Sequence, residues 1–195
     1  MDQIGPDQVD AAARSLAEAF HDDPLLMLLS PDERRRPELG RWFFARALTI
    51  GLQSGHVWGT DDASAVAVWF PPGRTHITPI QMLRVGMGAL PFKAGWRSSA
   101  RLLQAMSATE SFHNAVGGPH WYLMAIGTRA SRRGQGLGGQ LVEMGVSRAD
   151  AAGLPCYLET ATDANLAFYS KRGFEVIGQR VVHGFTLSGM VRPAR

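Results

Sequence analysis

The stretch Arg132-Arg133-Gly134-Gln135-Gly136-Leu137-Gly138-Gly139 constrains this chain more than any other. Before it, Trp121 to Thr128 is an apolar, aromatic run that predicts a buried strand. After it, Leu137, Leu141, Met144, Ala149 and Ala152 recur at spacings of three to five, which predicts one face of a helix. A strand, a glycine-rich turn and a helix start make an anion site. The first backbone N–H groups of a helix have no partner inside it, and the helix dipole is positive there. Glycines let the backbone approach a phosphate closely, because no Cβ intervenes.

The identity of the phosphate ligand is less constrained. A nucleoside triphosphate loop requires a Lys that this stretch lacks. Gly134-Gln135-Gly136-Leu137-Gly138-Gly139 does satisfy the dinucleotide pattern Gly-x-Gly-x-x-Gly, and Glu159 stands about 20 residues further on, so that ligand stays open on the pattern. Two features weigh against it. The loop leaves too little sequence behind it for a doubly wound sheet, and the preceding arginines suit a diphosphate approached from outside.

Arg133-x-x-Gly136-x-Gly138 resembles the Gln/Arg-x-x-Gly-x-Gly/Ala signature of the GNAT N-acetyltransferases, in which this loop holds the pyrophosphate of acetyl-coenzyme A. Asn165 to Phe174 resembles the same family's Asn…Tyr…Gly-Phe segment, and the two motifs come in the family's order. The run from His120 to Ile177 is most similar to a branch resembling puromycin N-acetyltransferase; the first 119 residues are similar more loosely, through Asp22-Asp23-Pro24 and Ala65 to Trp69.

Periodicity and punctuation predict the remaining elements. Asp7 to Phe20 reads as a helix that His21-Asp22-Asp23-Pro24 breaks, and Pro31 to Ser54 holds a longer one. His56 to Thr60, Ser64 to Phe70, Leu154 to Thr160, Glu175 to Val182 and Phe185 to Val191 read as strands, with His183-Gly184 as a turn. Residues 78–116 read as helical, interrupted near Pro91. The resemblance implies an α/β (α+β) GNAT fold: a twisted, mixed, mostly antiparallel sheet, flanked by helices and splayed between its fourth and fifth strands, residues 120–128 and 155–160. The chain 1–195 is expected to be a single domain. Its cofactor-binding core spans about 120–191, and the helical segment 78–116 is inserted on the acceptor side.

The same resemblance implies roles. The pantetheine arm pairs with the backbone of Ile126, Gly127 and Thr128. The diphosphate lies on the N–H groups of Arg133, Gly134, Gln135, Gly136, Leu137, Gly138 and Gly139. Thr128 stands where the family often has Val, and Ala130 where Pro is common. Asn165 and Tyr169, four apart, share a helix face; Asn165 bonds the cofactor's amides and Tyr169 acts as general acid, although spacing alone favours an amphipathic core tyrosine. Many family members carry a Glu in the fourth strand, and none is present here. Glu159, on the same side as Tyr157, is then the leading general base, its alternative being a structural carboxylate. His120 and His113 are further base candidates. Strand alternation places His120, Tyr122, Met124 and Ile126 on one face. Tyr122, His120 and Asp23 are the acceptor-binding candidates, with a helix-ending turn as the other explanation of Asp22 and Asp23.

Composition limits the alternatives. There are 18 Arg and 2 Lys, a net charge of +3 and no basic stripe beyond Arg34-Arg35-Arg36, so neither nucleic acid nor membrane is an expected partner. The longest aliphatic run, Leu25 to Leu29, is far short of a bilayer span. The single Cys156 excludes a disulfide framework and reads as a core thiol. No metal is expected. No signal peptide is recognised, which makes the cytoplasm the default location, with a monomer or homodimer. The expected function is transfer of an acetyl group from acetyl-coenzyme A directly to a primary amine of a small molecule, antibiotic-like or metabolite. The alternatives are a protein N-terminal or lysine acetyltransferase and a non-catalytic coenzyme A sensor.

Overall fold

The computed structural model describes all 195 residues. Seven strands form one sheet in the order β1-β2-β3-β4-β5-β7-β6. They are β1 (Asp2–Gln3), β2 (His56–Gly59), β3 (Ala65–Phe70), β4 (Trp121–Thr128), β5 (Cys156–Thr160), β6 (Glu175–Val182) and β7 (Phe185–Arg192). Every neighbouring pair is antiparallel except β4 and β5. This is the mixed, mostly antiparallel sheet expected. The β6–β7 turn falls at His183 (φ 48°) and Gly184 (φ 90°), both left-handed, as a tight hairpin requires.

The helices are α1 (Val9–Ala19), α2 (Pro24–Leu29), α3 (Arg36–Ser54), α4 (Pro79–Arg84), α5 (Leu90–Ala94), α6 (Trp96–Val116), α7 (Leu137–Ala151) and α8 (Asp163–Ser170). One short helix escaped the sequence reading. The segment does break the first helix, which ends at Ala19, but Asp23-Pro24 also starts α2, with the Asp23 carboxylate accepting from the Leu25 N–H at 2.9 Å and Pro24 in the first turn. The interruption expected at Pro91 is also displaced. Pro91 sits in the first turn of α5, where its missing N–H costs nothing, and the breaks fall at Gly86 (φ 82°) and Gly95 (φ 86°).

Each face of the sheet carries its own core. On one, α1 and α3 cover Val57, Val66, Val68, Phe70 and Ala125. On the other, α7 and α8 cover Ala67, Trp69, Leu123, Cys156 and Leu158. Helix α7 comes close because Gly145 has no side chain: a Cβ there would fall inside the Trp69 ring, whose Nε1–H donates to the Leu141 carbonyl at 3.3 Å. A bidentate ion pair, Arg192 Nη1 to Asp150 Oδ1 at 2.6 Å and Nη2 to Oδ2 at 2.9 Å, ties the last turn of α7 to β7. Cys156 is fully buried beside it, its thiol pushed up to about 12 by that burial. It is an inert core residue.

The β3–β4 register slips between Val68 and Trp69: Val68 pairs with Ala125 and Trp69 with Leu123, which leaves Met124 as an extra residue. Alternation therefore reverses there. Tyr122 and Met124 pack on the α1–α3 core, whereas Ile126 packs on the α7–α8 core. The expectation that Tyr122 and Ile126 share a face is overturned by this one-residue bulge.

Helix α6 lies over the β5-β7-β6 end of the sheet, and one side chain seats it. Gly178 of β6 and Gly189 of β7 are register partners. A Cβ at either would come within 2.8 Å of the Phe112 ring. The two glycines thus form a slot for Phe112, itself 7% exposed. A Gly189→Val substitution fills the slot. It is expected to cost about 1–3 kcal/mol by overpacking and to lower the melting temperature by about 3–10 °C, measured by circular dichroism.

Candidate active site

The site is set by where one ladder ends. β4 and β5 pair at Trp121–Cys156, Tyr122–Tyr157 and Leu123–Leu158, then part. β4 runs on to Thr128 with its other edge still paired to β3, and β5 runs on to Thr160, still paired to β7. The two free edges face one another across a V. Main-chain N–H and C=O groups in such an opening need partners, and an elongated ligand with amide groups supplies them in the manner of an added strand. Ile126, Gly127 and Thr128 lie along this edge. Gly127 has a second role: a Cβ there would come 2.7 Å from that of Ala19, so its bareness lets α1 lie against β4.

The glycine loop closes one end of the V. Gly134 (φ 78°) and Gly136 (φ 77°) adopt left-handed conformations with open space where a side chain would project. Gly136 caps α7 without a side-chain bond, so the N–H groups of Leu137, Gly138 and Gly139 point out of the helix unpaired by it. Arg133, Gly134 and Gln135 are exposed beside them. Arg172, given no role from sequence, comes to the same place. Its guanidinium lies 3.7 Å above the Phe168 ring, and its Nη2 stands 2.6 Å from where a Gly139 Cβ would be. A cation at the positive end of a helix deepens the preference for an anion. Thr160 Oγ1, buried without a protein partner where β5 has left β4, is a further hydroxyl for a ligand in the cleft. The residues present fit a diphosphate carrying a long amide-bearing arm.

On the α8 side, Tyr169 is 6% exposed and packs edge-on to Phe168 and Phe174. Burial holds its phenol well above the ordinary value, Arg172 opposes that, and the Asp23 carboxylate adds to it. Tyr169 therefore stays protonated, and the α1–α2 turn reaches its electrostatic range. Asn165 is half-buried in the first turn of the same helix, its N–H capped by Thr162 Oγ1 at 3.3 Å.

The opposite face holds a cluster assembled from four segments. Glu159 Oε1 accepts from the Tyr157 hydroxyl at 2.9 Å and stands 3.3 Å from His113 Nε2 of α6. The two side chains are 9% and 8% exposed. His113 Nδ1 meets His120 Nε2 at 3.3 Å, and His120 Nδ1 meets the Gly118 carbonyl at 2.8 Å. Tyr122 lies 4.7 Å from the His113 ring and 5.7 Å from Tyr157. Burial and the nearby Glu159 charge push both tyrosine hydroxyls up, which keeps them as neutral donors. The structure thus gathers Glu159, His113, His120 and Tyr122. It sets Asp23 apart from them, within electrostatic range of Tyr169. No group of His, Cys, Asp and Glu is arranged to hold a metal ion, and no helix is long and apolar enough to cross a membrane.

With this geometry in hand, comparison with known proteins is informative. The acetyltransferase (GNAT) family model matches residues 93–174, which take in α6, β4, the glycine loop, α7, β5 and α8. An uncharacterised N-acetyltransferase of Schizosaccharomyces pombe is 27% identical over 170 residues, covering 84% of this chain and 69% of its own. Among solved structures, arylalkylamine N-acetyltransferase 2 of Aedes aegypti superposes with a TM-score of 0.68 at 16% identity, over 100% of this chain and 98% of its own. A histone acetyltransferase HPA2 and related acetyltransferase of Corynebacterium glutamicum gives 0.65 at 24%, over 100% and 95%. At such identities the structures establish likeness of fold. The family model and the N-acetyltransferase relative make this chain similar to the GNAT acetyltransferases.

Asp23 yields a pH-dependent test. Burial raises its carboxyl from 3.8 to about 6, against the Leu25 and Leu26 N–H groups that lower it. Between about pH 4 and pH 6 the folded protein holds a proton that the unfolded chain has released, so stability falls as pH rises through that window and stays reduced above it. Asn caps a helix as well as Asp and has no charge to bury. Asp23→Asn is therefore expected to be more stable than wild type at pH 7 by about 1–3 kcal/mol, and near parity at pH 4. Urea unfolding at the two pH values checks this.

Proposed function

We propose that this chain, an acetyl-coenzyme A-dependent acetyltransferase of the GNAT type, passes its acetyl group directly to a primary amine of a small molecule. The observation that carries the acceptor class is the bridge over the cleft. Helix α1 rests on β3 and β4, one arm of the V, and α6 rests on β5, β6 and β7, the other. Helix α2, continuing from α1, packs against α6 and joins the two arms. A bridged cleft suits a small acceptor; a protein tail needs an open groove. The puromycin N-acetyltransferase branch that residues 120–177 resemble points to the same class, an antibiotic-like or metabolite amine.

The bound coenzyme supplies an acetyl carbonyl activated as a thioester. The protein's residues divide the remaining work. The N–H groups of Gly134 to Gly139, with Arg133 and Arg172, hold the diphosphate, and the free edge of β4 at Ile126 to Thr128 aligns the arm. Asn165 bonds the arm's amides. The acceptor enters as an ammonium ion, which Asp23 and the ring of Tyr122 attract. Glu159 takes its proton and exposes the nitrogen lone pair. Tyr169 keeps its hydroxyl proton through burial and offers it to the departing sulfur. Placing both reactants in one cleft contributes independently of either proton transfer.

Tyr169→Phe separates these roles. It is expected to lower kcat about 10²–10⁴-fold while coenzyme A binding changes less than about threefold. Thiol release across a panel of primary amines, with coenzyme A affinity by calorimetry, measures both. Coenzyme A binding without release on any amine, and release on peptides instead, would replace the small-molecule reading with a protein acceptor.

A further inference from the structure

Counting hydrogens along the Glu159 cluster leads beyond the naming of a base. The Gly118 carbonyl can only accept, so His120 carries a hydrogen on Nδ1. Burial holds His120 below the ordinary histidine value, and the Gly118 bond and Glu159 oppose this. His120 is therefore neutral, and its Nε2 accepts. His113 must then donate from Nδ1, across 3.3 Å. That leaves His113 Nε2 facing Glu159 Oε1, 3.3 Å away, while Tyr157 donates to the same oxygen. The His113–Glu159 contact is the one place in the chain of contacts whose proton its neighbours do not fix.

Acetyl transfer to an ammonium ion must release one proton: R–NH₃⁺ and an acetyl thioester become an amide, a thiol and H⁺. The C–N bond forms as the C–S bond breaks, the sulfur leaves with one proton, and the other must reach solvent. His113 also lines a cavity of about 390 Å³ with no hydrophobic residue in its wall. Thr75, His76, His113, Asn114 and His120 line it. A polar cavity of this size holds water. His76 is exposed, and its ring is 5.4 Å from that of His113.

We propose that His113, supplied by α6, is the proton partner of Glu159: the proton that Glu159 takes from the acceptor settles in the His113 Nε2–Glu159 Oε1 contact and leaves through the histidine-lined cavity. This rests on the acetyltransferase reading for the proton's origin, but the pairing is a property of the free protein. The facing groups are few. They are His76 from the β3–α4 loop, His120 ahead of β4, Tyr122 in β4, and Tyr157 and Glu159 in β5. From β6 and β7 the neighbouring groups are the bare Gly178 and Gly189 against Phe112.

The first test needs no coenzyme. Ring ¹⁵N shifts of the six histidines, followed as the whole protein is acidified, locate each proton. We expect His120 as the Nδ1–H tautomer, and a His113 Nε2 shift that Glu159→Gln moves while His120 keeps its tautomer. His120 as the Nε2–H tautomer, or a His113 Nε2 shift unmoved by Glu159→Gln, overturns the pairing. The second test is kinetic. His113→Gln is expected to lower kcat about 10²-fold at pH 7 with little change in acceptor KM. The deficit should shrink as pH rises and solution supplies the free amine. A wild-type rate and pH profile in His113→Gln overturns the relay while leaving acetyl transfer intact. Failure to acetylate any amine, with the ¹⁵N shifts as expected, overturns the function and upholds the pairing.

Discussion

Everything at this site follows from three residue pairs. β4 and β5 are held together from Trp121 to Leu123 and from Cys156 to Leu158, and nowhere else. Had the ladder continued, the edge at Ile126 to Thr128 would be consumed and the sheet would have no opening. Past the third pair each strand keeps only its other neighbour: β4 follows β3 to Thr128, and β5 follows β7 to Thr160. Main-chain groups left without partners in a sheet interior cost free energy unless something bonds them. The V is thus an unsatisfied part of the sheet that a ligand with amide groups completes.

A single extra residue then sorts the chemistry onto two sides. Without the bulge at Met124, alternation would carry Tyr122 and Ile126 to the same face. With it, Tyr122 joins Tyr157, Glu159 and the histidines, whereas Ile126 turns towards α7 and α8, where the glycine loop and Tyr169 stand. Two proton-handling groups with different tasks need different surroundings. Tyr169 sits among Phe168 and Phe174, where its phenol is kept whole. Glu159 sits among hydroxyls and imidazoles that can pass a proton on.

What the sequence disclosed and what it concealed divide along the same physical line. The glycine loop and the α8 segment were legible because their chemistry is local: a turn, a cap and an i, i+4 spacing are written in neighbouring residues. Glu159 and Tyr157 were legible as a pair because strand residues two apart share a face. The Met124 bulge was not, since it arises from register between β3 and β4 rather than from either strand. Helix α2 was hidden because Asp-Pro both ends and begins helices, and only tertiary packing decides which. Arg172 was present in a recognised segment, but its place beside Gly139 depends on how α8 lies against α7. The partnership of His113 and Glu159, 46 residues apart, had no local signature at all.

That partnership depends on a packing device with no chemistry of its own. Phe112 fills the slot left by Gly178 and Gly189, and the next residue along α6 is His113. Adjacent helical residues diverge by about 100°, given 3.6 residues per turn. An apolar anchor can therefore enter the sheet while its neighbour turns towards the end of β5. The side-chain-free glycines on two strands thus fix an imidazole on a helix to within hydrogen-bonding reach of a carboxylate. The same helix meets α2 across the mouth of the cleft. Under the proposed function, the wall that sizes the acceptor and the group that receives its proton belong to one helix, so a change in how α6 seats alters both together.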